Sequence, residues 1–253
     1  MNKAALTVEN LTKVYSGNKK RSSKKALNNL SFEVKQGEVL GLLGPNGAGK
    51  TTFLSILGGT VLKTGGRINV WGFDIDKNPR QVKASIGIVP QEINLDAFFS
   101  PKKLLDLQAG LYGVPEKNRI TDVILKMVSL EKQADSYSRN LSGGMKRRLL
   151  IAKAMVHQPP ILVLDEPTAG VDVELRKKLW DNVKDLNNEG VTIILTTHYL
   201  FEAQKMCDRI AIIDKGNLVA LDTTEKLLER IQTKKVKFKV KKLPINQSLV
   251  LKD

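Results

Sequence analysis

The chain has 253 residues, of which 42% are hydrophobic, and its 19 glycines and 9 prolines are ordinary fractions. This composition excludes collagen-like, low-complexity and wholly disordered chains, and it leaves room for one large domain or two small ones. The single cysteine, Cys207, excludes a disulfide scaffold and a zinc site built on several cysteines, and it indicates a reducing compartment. No apolar run approaches the roughly 18 residues that cross a bilayer, and the first residues lack a signal-peptide core. We therefore expect a soluble, cytosol-facing protein.

The net charge of +15 is concentrated in two short segments. Residues 13–25 contain six lysines or arginines, residues 230–252 contain eight, and neither segment contains an acidic residue. Such segments are typical of solvated chain, of surfaces attracted to anionic lipid headgroups, or of nucleic-acid binding. The charge alone does not decide among these three alternatives.

The first part of the chain predicts short strands followed by a helical region. Strands are predicted at residues 5–8, 30–34 and 39–43, with a polar loop at 16–25. A helix is predicted after Gly49, ending at Gly58, and two further strands are predicted at residues 66–72 and 85–90. From about residue 96 to 153 the apolar residues recur at helical spacing, which predicts a helical insertion.

The second part of the chain returns to strands. Residues 161–164 form a continuous apolar run, which is typical of a parallel strand buried on both faces, and residues 191–197 predict another. Between them, Asp172 is a candidate cap for an amphipathic helix that ends at Gly190. A hairpin is predicted around Lys215-Gly216-Asn217. The alternating lysines of residues 234–242 predict a strand with one solvent-exposed face. We thus predict an α/β domain at residues 1–230, with a parallel-sheet core, and a basic tail at 231–253.

A glycine-rich segment lies between a predicted strand and a predicted helix, and it matches the phosphate-loop pattern. Backbone N–H groups of such a turn converge on a triphosphate, helped by the helix N-terminus. In this arrangement Lys50 neutralises the β- and γ-phosphates, and the Thr51 hydroxyl ligates Mg²⁺. The residues predicted to hold the nucleotide here are Gly44, Pro45, Asn46, Gly47, Ala48, Gly49, Lys50 and Thr51.

Two acidic residues follow the apolar run at 161–164. A buried strand in this position delivers Asp165 beside the phosphate loop to hold Mg²⁺, and Glu166 becomes the candidate that polarises the attacking water. An acidic pair after an apolar strand is a weak signal alone, and it becomes strong with a phosphate loop upstream. A third segment, Leu141-Ser142-Gly143-Gly144-Met145, begins a predicted helix and forms another potential anion site.

These three motifs in this order resemble the nucleotide-binding subunit of ATP-binding cassette (ABC) transporters. The serine–glycine–glycine segment follows the phosphate loop and lies 23 residues before Asp165. The resemblance covers residues from about 6 to about 228. It implies a P-loop NTPase core with an N-terminal antiparallel β subdomain and an α-helical insertion subdomain.

The resemblance also assigns roles to residues outside the three motifs. It implies that Tyr15 stacks on adenine, that Gln91 senses Mg²⁺ and the attacking water, and that His198 contacts the γ-phosphate. Thr52 joins the residues that bind ATP, and residues 169–172 resemble the loop that communicates across a dimer. The implied cofactors are ATP and Mg²⁺. The implied catalytic residues are Glu166, His198 and Gln91, and the implied Mg²⁺ ligands are Thr51, Gln91 and Asp165.

The implied partners are a second copy of the subunit and a membrane permease. In this family, the phosphate loop of one copy faces the segment equivalent to residues 142–144 of the other, with ATP between them. A separate permease is implied because no membrane span is predicted here, which places the chain on the cytoplasmic face of the cell membrane. Residues 145, 167–172 and 197–203 resemble the branch that serves multidrug, polysaccharide and lipid exporters. The segment at 19–25 is longer than in most relatives, and many relatives of this branch continue beyond the tail.

The alternative is a cassette ATPase that acts on nucleic acid or ribosomes. Such proteins carry coiled coils, zinc modules or a second cassette, and the gap between Thr51 and Leu141 contains neither heptads nor cysteine pairs. Nucleic acid is therefore not expected as a partner. Four apolar residues after Gln91 either receive the permease or fill the core of the insertion, namely Ile93, Leu95, Phe98 and Phe99. His157 is expected at the surface, and packing roles are expected for Cys207, Trp71 and Trp180.

Overall fold

The structure is a computed structural model that describes residues 3–17, 22–169 and 173–229. Its strands are β1 (Ala4–Tyr15), β2 (Lys24–Lys35), β3 (Val39–Leu43), β4 (Gly65–Val70), β5 (Phe73–Asp74), β6 (Ile86–Val89), β7 (Ile161–Asp165), β8 (Thr192–Thr197), β9 (Arg209–Asp214) and β10 (Asn217–Thr223). Its α-helices are α1 (Lys50–Leu57), α2 (Pro79–Ala84), α3 (Pro101–Leu111), α4 (Thr121–Met127), α5 (Gly143–Met155), α6 (Val173–Asn188), α7 (Leu200–Met206) and α8 (Thr224–Glu229).

The larger sheet has six strands in the order β10-β9-β3-β8-β7-β6. All neighbouring pairs are parallel except β9 and β10, which form the predicted hairpin. Lys215 and Gly216 connect these two strands, and both have positive φ, 46° and 80°. That combination is typical of a two-residue turn whose twist matches the strands. The predicted parallel core is therefore confirmed.

Residues of β7 alternate between two hydrophobic clusters, which explains its continuous apolar run. Ile161 and Val163 pack with α1 and the smaller sheet. Leu162 and Leu164 pack with the helices of the insertion. Because both faces of this strand are covered, polar residues have no place along it until its carboxyl end.

The smaller sheet is antiparallel and has the strand order β2-β1-β4-β5. Its first two strands have 12 residues each and extend beyond the predicted segments. The ladder between them contains several register shifts, and Asn10 and Asn29 both have a φ of 49°. These irregularities break the alternation on which a sequence prediction depends. The sheet also takes β4 and β5 from the chain that follows α1, so it is not built from the N-terminal segment alone.

The predicted helical insertion is confirmed as α3, α4 and α5. Ser100 caps α3 because its Oγ accepts a hydrogen bond from the Lys103 backbone N–H at 3.3 Å, and Pro101 occupies the first helical position. Leu105 of α3 and Ile124 of α4 are buried in the cluster that also contains Leu149 of α5. The predicted Asp172 cap and the strand predicted at 234–242 lie outside the described residues, as does the predicted tail.

The expectation that His157 lies at the surface is only partly right, since the residue is half-buried. Its ring stacks on Tyr112, with centroids 3.6 Å apart and planes at 2°, and its Nε2 lies 3.2 Å from the Ile86 carbonyl oxygen. Burial lowers the pKa of His157, and its buried Nδ1 finds no hydrogen-bond partner among the described residues. The remaining packing predictions hold, since Cys207 is buried and Trp71 and Trp180 pack against the core.

The lowered pKa of His157 predicts a specific dependence of stability on pH. Below the ordinary histidine pKa of 6.5 the unfolded chain takes up a proton that the folded ring resists. We therefore expect His157 to lower the free energy of unfolding as the pH falls from about 7.5 to about 5.5. The variant His157→Phe keeps an aromatic ring beside Tyr112 and has no proton to gain, so it should lose less stability over that range. Urea unfolding at both pH values measures this, and equal losses in the two proteins would contradict it.

Candidate active site

The phosphate-loop segment connects β3 to α1 in the predicted strand–loop–helix arrangement. Gly44 is required by close packing, since a Cβ there would lie 2.2 Å from the Ile213 carbonyl oxygen. Gly49 precedes the helix with a φ of 112°, which an L side chain rarely adopts. These two glycines allow the loop to turn tightly, so that the N-terminus of α1 points out of the sheet edge.

Lys50 bridges the two ends of this loop. Its side chain is only 5% exposed, and its Nζ donates hydrogen bonds to the carbonyl oxygens of Gly44 at 2.7 Å and Pro45 at 3.3 Å. The same Nζ lies 3.7 Å from Glu166 Oε1. A buried ammonium needs such partners, because desolvation without them is costly. The cation is thereby held at the centre of the loop.

The turn between β9 and β10 is hydrogen-bonded both to the phosphate loop and to β2. The Gly216 backbone N–H donates to the Ala48 carbonyl oxygen at 2.8 Å, and the Asn28 N–H donates to the Gly216 carbonyl oxygen at 2.9 Å. A Cβ at Gly216 would lie 2.7 Å from the Ala26 carbonyl oxygen. The predicted hairpin therefore fixes the loop against β2, a contact that no sequence pattern indicated.

Four adjacent parallel strands deliver the predicted site residues to one edge of the sheet. The phosphate loop follows β3, His198 follows β8, Glu166 follows β7, and Gln91 lies two residues after β6. Parallel strands present their carboxyl ends at the same edge, which is where ligands bind in open α/β sheets. Residues that are far apart in the chain thus meet here.

Glu166 is the residue on which the others converge. Its Oε1 lies 3.2 Å from His198 Nδ1, and its Oε2 accepts a hydrogen bond from Gln91 Nε2 at 3.3 Å. Its backbone φ is 43°, a left-handed conformation that costs a non-glycine residue on the order of 1 kcal/mol. Two hydrogen bonds from its backbone N–H, to Thr196 O at 3.2 Å and Thr196 Oγ1 at 3.0 Å, stabilise that conformation.

Asp165 lies beside Glu166 at the end of β7. Its Oδ1 accepts a hydrogen bond from Thr196 Oγ1 at 2.6 Å. Burial raises the pKa of Asp165, and the neighbouring Glu166 carboxylate raises it further, whereas the Thr196 hydrogen bond and Lys50 lower it. No group of three or more His, Cys, Asp or Glu side chains suited to a metal occurs in the described part of the chain. A cation here would have the half-buried Asp165 carboxylate and neutral oxygens, a set that suits Mg²⁺ bound mainly through phosphates.

A cavity of about 1220 Å³ opens in front of the phosphate loop. Tyr15 lies at its edge and is 40% exposed, and Lys13 Nζ lies 4.8 Å from the centroid of its ring. Five predicted site residues near the loop do not line this cavity, namely Gly44, Pro45, Ala48, Asp165 and His198. The predicted site residues that line the cavity are Tyr15, Asn46, Gly47, Gly49, Lys50, Thr51, Thr52, Gln91 and Glu166.

The serine–glycine–glycine segment does not line this cavity. Ser142 is the cap of α5, since its Oγ accepts a hydrogen bond from the Met145 backbone N–H at 3.3 Å. Ser142 and Gly143 are exposed, whereas Gly144 is buried. The structure therefore leaves this helix N-terminus on a surface that a second molecule can reach. Of the loop at 169–172, residues 170–172 lie outside the described residues.

Two buried charged residues of the site region belong to none of the predicted site residues, namely Arg147 and Glu202. Arg147 is 4% exposed, and its guanidinium donates to the Pro90 carbonyl oxygen at 2.9 Å, directly before Gln91. Glu202 is also 4% exposed and lies near Thr168. A sequence signal exists for the arginine, because it shares a helical face with the buried residues Gly144 and Ile151.

The fold and this cavity define a P-loop nucleotide-binding protein. A family model described as ABC transporter matches residues 27–169. The chain is 41% identical to the linearmycin resistance ATP-binding protein LnrL of Bacillus subtilis over 89% of this chain and 71% of that protein. It is 40% identical to the Nod factor export ATP-binding protein I of a Rhizobium species, over 90% of this chain and 74% of that protein.

Solved structures agree with this assignment. An ATP-binding subunit of an ABC transporter aligns with a TM-score of 0.77 at 27% identity, covering 89% of this chain and 92% of that one. A dimeric ATP-binding cassette in a post-hydrolysis state with ADP and Pi aligns with a TM-score of 0.75, also at 27% identity, covering 87% and 98%. The chain belongs to the ABC transporter family as an ATP-binding subunit.

The predicted function is therefore confirmed. The chain is an ATPase that binds and hydrolyses ATP as a subunit of an ABC transporter, and subunits of this class dimerise and act with membrane permeases. Among the described residues, no helix is both long and apolar enough to cross a membrane.

Proposed function

We propose that this chain is the Mg²⁺-dependent ATPase subunit of an exporter, working as a homodimer bound peripherally under a permease at the cytoplasmic face of the membrane. The observation that carries the proposal is the convergence of Lys50, Gln91 and His198 on Glu166 at the phosphate loop. The direction of transport is supported by the relatives named for resistance and for Nod factor export.

ATP binding begins with an exchange of partners at Lys50. In the structure its ammonium is satisfied by the carbonyl oxygens of Gly44 and Pro45 and by the nearby Glu166. A triphosphate in the loop supplies stronger, charge-assisted acceptors, so Lys50 turns to the phosphates. The backbone N–H groups at the start of α1 bind the same oxygens, and Tyr15 stacks on the adenine at the edge of the cavity.

The oxygens of Thr51, Asp165 and Gln91 are the proposed Mg²⁺ ligands. Thr51 lies exposed in the lining of the cavity, and Thr196 orients the Asp165 carboxylate through its 2.6 Å hydrogen bond. Mg²⁺ supplies charge neutralisation on the β- and γ-phosphates when it is bound. This chain contributes few ligands, as is usual for a cation that accompanies its nucleotide.

Hydrolysis is assigned to Glu166 with Gln91 and His198 beside it. Glu166 orients the attacking water and accepts its proton, which requires the carboxylate to be released from the positive charge of Lys50. The nucleotide provides this release, because Lys50 moves to the phosphates. His198 lies 3.2 Å from Glu166 and is 34% exposed, so it can reach the γ-phosphate from the same side.

The second half of the ATP site comes from another copy of the chain. Ser142, Gly143 and Gly144 at the N-terminus of α5 supply a hydroxyl, backbone N–H groups and the positive end of a helix dipole to the γ-phosphate. In one copy these residues are outside the cavity that holds the nucleotide. Closure of two copies around two ATP completes both sites, and the permease converts the closure into transport.

The permease is proposed to dock on the segment that follows Gln91. Leu95 packs against the core, so the core-filling alternative accounts for that residue. Ile93, Phe98 and Phe99 are 39%, 71% and 38% exposed, and therefore that alternative does not account for them. Exposed apolar residues clustered on one segment are typical of an interaction surface. Their position directly after Gln91 allows docking to reach the catalytic edge of the sheet.

A matched pair of charge substitutions tests the docking site. We expect Phe98→Glu to reduce recovery of an integral membrane partner from detergent-solubilised membranes by at least about tenfold, because a carboxylate in an apolar contact costs more than 1 kcal/mol. Val219→Glu is the control, since Val219 is 64% exposed on β10. Quantitative mass spectrometry of the co-purified proteins measures both, and the ATPase rate without partner should be unchanged. Recovery of ribosomes or nucleic acid in place of an integral protein would favour the alternative function.

A further inference from the structure

A buried carboxylate with no role in the proposed chemistry lies directly behind the catalytic residues. Glu202 of α7 is 4% exposed, and its two oxygens accept hydrogen bonds from Thr168 Oγ1 at 2.6 and 2.7 Å. It also accepts a hydrogen bond from Thr197 Oγ1 at 3.2 Å and lies 3.3 Å from the Arg176 guanidinium of α6. Burying a charge is costly unless it is paired and hydrogen-bonded, as this one is.

Each threonine is close to a catalytic candidate in the chain. Thr168 lies two residues after Glu166, inside a turn closed by the hydrogen bond from the Ala169 backbone N–H to the Glu166 carbonyl oxygen at 3.1 Å. Thr168 is 1% exposed, so its hydroxyl is shielded from water and donates to Glu202 instead. The carboxylate is therefore hydrogen-bonded to the turn that begins at Glu166.

Thr197 links Glu202 to the backbone around His198. Its hydroxyl donates to Glu202 and accepts a hydrogen bond from the Tyr199 backbone N–H at 3.0 Å. His198 lies between the two residues that make this bond, so its backbone is held on both sides. Glu202 is thus hydrogen-bonded to a neighbour of Glu166 and to a neighbour of His198.

We propose that Glu202 is a positioning residue that holds the Glu166 turn and the His198 segment in fixed register, so that the Glu166–His198 contact of 3.2 Å is preformed. The inference rests on the roles proposed above for Glu166 and His198. Glu202 itself is buried behind them and acts only through the two threonines. Errors of about 1 Å in such a geometry cost up to about a hundredfold in rate.

The substitutions Thr168→Val and Thr168→Ser form the critical pair. Valine has the shape of threonine without its hydroxyl, and serine keeps the hydroxyl. We expect Thr168→Val to lower kcat at least about tenfold while the KM for ATP changes less than about twofold, since the loss affects geometry and not nucleotide contacts. Thr168→Ser should restore kcat to near the wild-type value. Glu202→Gln, which keeps the size and loses the charge, should lower kcat in the same way.

Glu38→Gln is the control for a general loss of a buried carboxylate. Glu38 is 7% exposed, pairs with Arg209 at 3.1 Å and accepts a hydrogen bond from the Lys35 backbone N–H at 2.9 Å, away from the catalytic edge. Thermal unfolding should show comparable destabilisation of Glu38→Gln and Glu202→Gln, and only the latter should lose kcat. If Thr168→Val keeps the wild-type kcat, or if Thr168→Ser fails to restore it, the positioning role is wrong. That outcome is distinct from a failure of the proposed mechanism, which would appear as turnover by Glu166→Gln.

Discussion

Glu166→Gln is expected to abolish ATP turnover while the protein still binds ATP and forms a stable dimer with it. Glutamine fills the same space and retains an oxygen near His198 and Gln91, but it cannot accept a proton from water. Loss of a general base costs about 10²- to 10⁴-fold in rate. Phosphate release measures turnover, and size-exclusion chromatography with ATP measures the dimer.

The expected result separates chemistry from binding because Glu166 contributes little to holding the nucleotide. Removing its charge also removes the 3.7 Å ion pair with Lys50, so ATP binding should be unimpaired or slightly tighter. Glu92→Gln is the matched control, since Glu92 is an exposed carboxylate next to Gln91 in the chain. Phosphate release by Glu166→Gln at the rate of this control would reject the role of Glu166.

Lys50→Ala and Ser142→Arg are expected to stop hydrolysis for different reasons. Lys50→Ala removes a charge-assisted contact to the nucleotide of its own copy, which should weaken ATP binding by the monomer about 10- to 100-fold. Ser142→Arg should leave monomer binding nearly intact, because Ser142 is outside the cavity. It should nevertheless block closure and hydrolysis in a dimer of two such copies, since a bulky side chain then replaces Ser142 at both composite sites. A fluorescent ATP analogue titrated into each monomer measures the difference.

Mixing the two inactive variants provides the strongest test of the composite site. A mixed dimer contains one site with an intact Lys50 from one copy and an intact Ser142 from the other. Hydrolysis should therefore reappear on mixing, although neither variant alone is active. Ser142→Asp is the control for loss of the helix cap, because aspartate also caps a helix. Its negative charge repels a phosphate, so this variant should also be inactive alone. Equal loss of monomer affinity in both variants, or no recovery on mixing, would exclude the two-copy site.

The sequence predicted the parts of the site whose geometry is local. The phosphate loop is eight consecutive residues, and its glycine positions alone require the turn that precedes α1. The apolar run before Asp165 likewise required a strand covered on both faces, and β7 has that environment. The order of motifs then indicated the family. These inferences succeeded because each depends on neighbours in the chain or on a fixed order of motifs.

Residues whose environment depends on distant segments were predicted less well. His157 was expected at the surface, and it is stacked on Tyr112 because the end of α5 packs beside the last turn of α3 and the first residue of β6. The lengths of β1 and β2 were underestimated because bulges interrupt their alternation. A short window of sequence shows neither the packing partners of a residue nor the bulges in a strand.

The sequence by itself predicted which residues bind the phosphates, determined which carboxylates follow the buried strand, and indicated ATP as the ligand. Only the tertiary structure decided how those residues meet. The order β3-β8-β7-β6 brings Lys50, His198, Glu166 and Gln91 to one edge, although up to 148 residues separate them in the chain. It also decided that Glu202 is buried against Thr168 and Thr197. The reason is that hydrogen bonds between strands and buried charge pairs join residues distant in sequence, and their energies depend on distances that only the folded chain sets.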